Sequence, residues 1–484
     1  MERLRALCGH IAVGRPTTGP APASSVGPSY PDPRLPAEGL QVVAEPEIVQ
    51  QCGEQITFRV SYPSRGGANV SYTLTADGHG PALHEGTLQL DIQGHGQCSG
   101  SLAVPGFLTC SVACDGDTAL AGAGVDPYSI APSLPPPADF DAFWAQQKAL
   151  QAATPPNTRL EPLAAALQQP GVEAFDVQAD SAVGAGLSGY MARPAGAAPR
   201  SLPAVLIVHG AGVYSSNLES AQDWARGGGP GIDIGNQCGR HIGEGPHGMA
   251  AFSQSALALD LNAHGIPNGR EESYYAELGA EGGALHNYNQ RGRMDRESCY
   301  FRGMLLRLIR AIDVLTAQPE WDQRTVVLFG VSQGGFQAIA AAGLDPRVTF
   351  FAAGVPAGCD HTGHLAPSGP RISGWPKLAV TGLGVSSSEE EQACINEASQ
   401  YYDCVSFAQR AHAPAQFSVG FIDTACPPTS VFAAFNNLPA LSGTASLSGH
   451  AIHYDAWAGH EHTPAADVAM RGAVLAHFDA MGHH

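Results

Sequence analysis

Val326-Val-Leu-Phe-Gly-Val-Ser-Gln-Gly-Gly-Phe-Gln-Ala-Ile-Ala-Ala-Ala-Gly-Leu344 decides how this chain is read. A run of β-formers stops at Gly330. Ser332 sits inside Gly330-Val331-Ser332-Gln333-Gly334, and an alanine-rich stretch whose one β-branched residue is Ile339 begins at once. Strand, tight turn and helix in that order make a nucleophile elbow. Its glycines are needed because the two backbones pass too close for a Cβ. The turn lifts the Ser332 hydroxyl above the sheet edge, over a helix N-terminus that favours negative charge. In a chain with 58 glycines among 484 residues the five-residue pattern alone is weak, so the flanking strand and helix carry the inference.

An elbow serine needs an acid and a histidine later in the chain, in that order. Pro414–Ile422 reads as a buried strand whose first polar exit is Asp423. Pro427 and Pro428 then turn the chain into a helix holding Val431, Phe432 and Phe435. Ile452–Trp457 reads as the next strand, and it exits at Gly459-His460-Glu461. Both residues stand at the C-terminal ends of strands, where open α/β sheets carry their sites. His460 is expected to take the Ser332 proton, and Asp423 to hold the imidazole tautomer. His453 and Asp455 fall inside the strand, and these two and His462 are the rivals. The bland readings are a packing histidine and a helix-capping aspartate. For the oxyanion, one backbone donor is the N–H of Gln333. The other is expected from His209-Gly210-Ala211-Gly212, after the strand Pro203–Val208, at Ala211 with Gly212 as the alternative.

From about Phe140 onward the chain resembles the acetyl xylan esterase/cephalosporin C deacetylase family, the family-seven carbohydrate esterases. The matching pieces are Gly330-Val-Ser-Gln-Gly-Gly335, Gly420-Phe-Ile-Asp-Thr-Ala-Cys-Pro-Pro428, Val431-Phe-Ala-Ala-Phe-Asn436 and Gly459-His-Glu461. The resemblance implies an α/β-hydrolase fold, a mostly parallel sheet flanked by helices. It also implies removal of acetyl groups from sugars, with Ser332, Asp423 and His460 as the triad and no metal or organic cofactor. Two departures touch the pocket. The family's His-Gly-Tyr is His209-Gly210-Ala211 here, with Tyr214 the nearest tyrosine. Its Arg-Gly-Gln is absent after the strand Ala256–Asn262, where His264 stands instead. Candidate substrate contacts are His209, Tyr214, His264, Asp360 and Glu461. The identity of the acyl sugar stays open.

Composition bounds the rest. A net charge of −19 argues against nucleic acid and anionic membrane surfaces. No apolar run reaches the ~18 residues of a membrane-spanning helix. The two lysines, Lys148 and Lys377, leave little room for Schiff-base chemistry. The length suits two or three domains. Residues 1–39, rich in Pro, Gly, Ala and Ser, are expected to be disordered or a leader. Residues 40–130 alternate as short strands (Ile56, Phe58, Val60, Tyr62; Val70, Tyr72, Leu74) and predict a β-sandwich that packs on the rest or contacts a second copy, so a homo-oligomer is open. A proline-rich linker follows at 131–137, then a catalytic domain at 138–484 with insertions at 214–253, 263–298 and 359–412.

Phe140, Phe143, Trp144 and Leu150 predict one helix face, and Phe301, Met304, Leu305, Leu308, Ile309, Ile312 and Leu315 predict another. Tyr274, Tyr275, His286 and Tyr288 suit stacking on a sugar ring, and Cys359-Asp360-His361 opens the third insertion as a candidate pocket wall. The eleven cysteines contain no C-x₂-C pair, which argues against zinc. Cys110 and Cys114 lie too far apart along one strand to bridge each other, but either could pair with Cys52 or Cys98. Cys394 and Cys404 could clip a loop, and the compartment is not fixed. A prolyl-oligopeptidase-like peptidase shares the elbow, but no propeller repeat is visible. An inactive scaffold is disfavoured by the complete set of triad residues.

Overall fold

The computed structural model of the chain describes residues 11–13, 32, 34–227, 254–379, 388–440 and 449–483. Most of the expected leader, residues 228–253 of the first insertion and residues 380–387 of the third lie outside the described residues. The early strand β1 (Ile11–Val13) sits at the far edge of the large sheet.

Residues 41–125 form two facing sheets. One orders β2 (Gln41–Glu45), β4 (Ile56–Ser61) and β7 (His95–Gly100). The other orders β3 (Ile48–Val49), β9 (Asp117–Val125), β8 (Gly106–Cys114), β5 (Asn69–Ala76) and β6 (His79–Gln89). The period-2 pattern turns Ile56, Phe58 and Val60 inward against Val70, Leu74, Cys110 and Val112. Strand β8 is buried on its other face too. Its Phe107 leaves the sandwich core and packs on Phe421 and Phe432, with ring centroids 4.8 and 5.3 Å apart. Cys98 and Cys110 face each other as free thiols, with Sγ atoms 3.8 Å apart. Cys394 is exposed and Cys404 buried, both free, so they do not clip a loop.

The remainder is an α/β-hydrolase. Its sheet adds β10 (Arg159–Pro162), β11 (Val172–Ala179), β12 (Leu187–Pro194), β13 (Leu202–Val208), β14 (Leu257–Leu261), β15 (Trp321–Val331), β16 (Phe350–Gly354), β17 (Ala415–Gly420) and β18 (Ala451–Asp455). The order is β1-β18-β17-β16-β15-β13-β14-β12-β11-β10. Pairings from β14 to β18 are parallel; β1 and β10–β12 join antiparallel. The central strands β13 and β16 are apolar throughout because helices cover both faces. Helices α1 (Phe140–Ala153), α4 (Tyr300–Thr316) and α5 (Gln333–Leu344) pack on one face. Between α1 and α4 the chain forms α2 (Leu218–Ala225), which reaches the other face through Trp224, and α3 (Glu272–Gly279). After α5 come α6 (Glu389–Ser399), α7 (Cys404–Ala408), α8 (Pro428–Phe435) and α9 (Pro464–Ala480), and α9 brings Met470, Val474 and Phe478 to Trp224's face. All seven apolar residues of the α4 stripe are buried, each contributing roughly 1.5–3 kcal/mol. On α1 the expectation fails at one position. Leu150 is 43% exposed, while Gln147 and Gln151 are buried beside Phe140, Phe143 and Trp144. At 3.6 residues per turn Leu150 stands ~80° round from Phe140, whereas Gln151 returns to within ~20° of it.

Candidate active site

Ser332 caps α5 with φ 58° and ψ −119°. A residue with a Cβ holds such a conformation only when its surroundings force it, at roughly 1–3 kcal/mol. The force is steric. A Cβ on Gly330 would stand 2.4 Å from the Gly334 carbonyl carbon, and one on Gly334 would stand 2.2 Å from the Val208 oxygen. The Ser332 amide donates to Gly354 O at 2.8 Å, and its carbonyl accepts the Ala357 amide at 3.0 Å.

The Ser332 hydroxyl lies 2.9 Å from His460 Nε2, and His460 Nδ1 lies 2.8 Å from Asp423 Oδ2. Asp423 is fully buried, and its Oδ1 accepts the amides of Ala425 and Cys426 at 2.8 and 2.9 Å. The turn forced by Pro427 and Pro428 thus points two N–H groups back at the carboxylate. Burial works against the His460 imidazolium, while the Cys426 sulfur and the Asp423 carboxylate act the other way, leaving its pKa well above the ordinary histidine value. Burial keeps Cys426 a neutral thiol, so Asp423 is the charge responsible. Ligand atoms of Asp423, Cys426 and His460 lie within 4.8 Å of one another, the sole such trio among the described residues. A metal ion there would have to displace the His460–Asp423 hydrogen bond.

Across from the serine runs the loop after β13. Tyr214 donates to Gly210 O at 2.5 Å, and the Gly212 amide donates to Tyr288 Oη at 3.4 Å. With the Gly212 amide engaged, the Ala211 amide is the better candidate donor toward the serine. His209 is held on Asp260 at 2.6 Å, the burial that lowers its pKa being outweighed by that carboxylate, which leaves the pKa raised. His264 is buried between Tyr300 and Gly212, and burial lowers its pKa to about 4.

The other sequence candidates have internal partners. Asp360 is buried: its Oδ2 pairs with Arg371 inside the third insertion, and its Oδ1 accepts from Ser133 N in the linker. Glu461 is gripped by both oxygens by Arg34 at 2.6 and 2.7 Å, and Arg34 also lies over the Trp457 ring. Tyr275 and Tyr288 are buried rather than open for stacking. His453 bonds Asp455 within the strand, and His462 bonds Asp467, so neither reaches Ser332.

Several contacts at the site have no counterpart in the sequence reading. His79 Nε2 lies 3.2 Å from Thr424 O, next to Asp423; Gly122 N donates to Ala456 O at 2.8 Å; Thr429 donates to Asp77. The sandwich therefore braces the loops that carry Asp423 and His460. Nothing local in Asp77, His79 or Gly122 signals this. Cys426 alone had a signal, lying inside the Gly420–Pro428 segment.

The acetyl xylan esterase family model matches residues 128–444. A curated acetyl esterase of Xylanibacter ruminicola is 26% identical over 428 residues, 86% of this chain and 87% of that protein. Among solved structures, the acetyl xylan esterase of Paenibacillus sp. R4 superposes with a TM-score of 0.53 at 23% identity, covering 74% of this chain and 98% of its own. Acetyl xylan esterase 1 of Thermoanaerobacterium gives 0.52 at 20%, with 73% and 97% covered. These two likenesses concern the fold.

Proposed function

This chain belongs to the acetyl xylan esterase family, and we propose that it deacetylates carbohydrate through an acyl-enzyme on Ser332. His460 Nε2 takes the Ser332 proton as the oxygen attacks the acetyl carbonyl. The amides of Gln333 and Ala211 receive the oxyanion, each such donor being worth roughly 2.7–4 kcal/mol. Collapse of the tetrahedral adduct expels the sugar hydroxyl, which takes its proton from His460. Water then attacks the acetyl-serine, with His460 again accepting a proton, and acetate leaves. Asp423 keeps the proton of neutral His460 on Nδ1 and stabilises the imidazolium.

One observation carries this reading: two consecutive hydrogen bonds, 2.9 and 2.8 Å, linking Ser332 to His460 and His460 to Asp423. The test is nitrophenyl acetate hydrolysis and acetate release from a panel of acetylated oligosaccharides, with wild type beside Ser332→Ala. The variant should lose about 10⁶-fold in kcat. Equal rates from the two proteins would remove the assignment.

A further inference from the structure

Four hydrogen bonds run behind the amide loop as one chain. Tyr300 Oη donates to His264 Nδ1 at 2.7 Å, and His264 Nε2 donates to Gly212 O at 2.7 Å. The Gly212 amide donates to Tyr288 Oη at 3.4 Å, and Tyr288 donates to the Gln333 side-chain oxygen at 2.7 Å. The rings are packed as well. His264 meets Tyr288 edge-on with centroids 4.5 Å apart, and Tyr288 lies 5.2 Å from Tyr300. The donor directions follow from chemistry. A carbonyl only accepts, so His264 must carry its proton on Nε2, which leaves Nδ1 to accept from Tyr300. The neutral imidazole that this requires is the form burial favours.

The chain joins both sides of the proposed oxyanion hole. Gln333 follows the nucleophile, and Gly212 follows Ala211. On the other side of Ala211, the Gly210 carbonyl is held by Tyr214, whose own carbonyl accepts from Asn262 Nδ2 at 2.9 Å. Both peptide neighbours of Ala211 are thus fixed by side chains, Gly210 by Tyr214 of the same loop and Gly212 by His264 and Tyr288 of the next insertion. Both ring nitrogens of His264 and the hydroxyl of Tyr288 are engaged within this chain, so the two residues act through the loop rather than by touching substrate.

We infer that His264 and Tyr288 are positioning residues for the oxyanion hole: their hydrogen-bonded chain sets the distance between the Ala211 and Gln333 amides. This rests on the serine-esterase reading above. Ala211 has no side chain able to brace the loop, and His264 reaches over to hold it.

The test uses the full-length protein with Tyr288→Phe, His264→Leu and His264→Gln. The readouts are kcat and KM on nitrophenyl acetate, the rate of Ser332 labelling by a fluorophosphonate, and the melting temperature. The labelling reports the hole directly, since the phosphoryl oxygen takes the oxyanion's place. Tyr288→Phe and His264→Leu should lower kcat roughly 10- to 100-fold with KM within about threefold, and labelling should slow in parallel. His264→Gln keeps a donor and an acceptor and should recover most of the loss. Wild-type kcat and labelling in Tyr288→Phe would overturn the inference, as would a loss confined to KM or to melting temperature. If Tyr288→Phe does not fold, the two His264 variants decide: a glutamine as impaired as the leucine overturns it. Activity surviving in Ser332→Ala instead strikes the esterase reading, so the two failures are distinguishable.

Discussion

Two turns at the same sheet edge are built in opposite ways. The elbow after β15 is held by its own backbone: Gly330 and Gly334 let strand and helix meet, and Val208 on the neighbouring strand presses from the side. The amide loop after β13 has small residues too, but they do not fix it. Side chains of Tyr214, His264 and Tyr288 do. A turn defined by steric exclusion tolerates no change. A turn defined by side-chain hydrogen bonds can be retuned by altering its braces.

The largest effect separating the two designs belongs to the relay that serves both. Asp423→Asn keeps the shape of the site but favours the wrong imidazole tautomer, and kcat should fall about 10⁴-fold. Its pH profile adds a second reading. Wild-type His460 has a raised pKa, so base form appears only above the ordinary histidine range, and the acid limb of kcat/KM should lie above pH ~6.5. In Asp423→Asn that limb should move down. An unmoved limb would mean that Asp423 does not set the imidazole's charge.

The elbow's intolerance is tested by Gly334→Ala. Its Cβ would lie 2.2 Å from backbone, so strand and helix must part, costing ~3 kcal/mol or more in urea unfolding and most of the activity. Here the contrast with the His264 variants matters, because those should lose rate with little stability. A stable, active Gly334→Ala would erase the distinction between the two turns.

A smaller effect concerns the brace from the sandwich. Buried Asp77, which accepts from Thr429, has its pKa raised by burial to about 6. The folded state therefore binds that proton more tightly than the unfolded state, whose pKa stays near 3.8. Stability from this group is present below pH ~4 and is lost as pH rises through about 6, a change of ~2–3 kcal/mol. Asp77→Asn should remove that loss and be the more stable protein at pH 7.5, relative to wild type, than at pH 4.5. Parallel urea midpoints at the two pH values would show instead that Asp77 does not carry a buried charge.

Periodicity and turn chemistry reveal what is close in the chain, and they revealed most of the sheet. The strands before Ser332, Asp423 and His460 were visible as apolar runs ending in polar exits. Asp360 and Glu461 looked available because their partners, Arg371 with Ser133 and Arg34, give no local sign. The helix stripe is misleading at Leu150 for a different reason: Gln151 completes the 3.6-residue repeat, and its side-chain oxygen accepts from Ser181 and Ala182. The sequence marks Tyr288 as an aromatic suited to stacking on sugar, and only its depth and its hydroxyl partners give it another part.

The sequence by itself determined the elbow, the order of serine, acid and histidine, and the hydrolase fold. These follow from steric limits and hydrophobic periods acting over a few residues, so they are written locally. Only the tertiary structure brings Ser332, His460 and Asp423 into hydrogen-bond contact and braces the amide loop. It alone shows that Arg34 and the sandwich bear on the loops of Asp423 and His460. Hydrogen bonds between residues far apart in the chain depend on where the sheet delivers them, and no local pattern encodes that meeting.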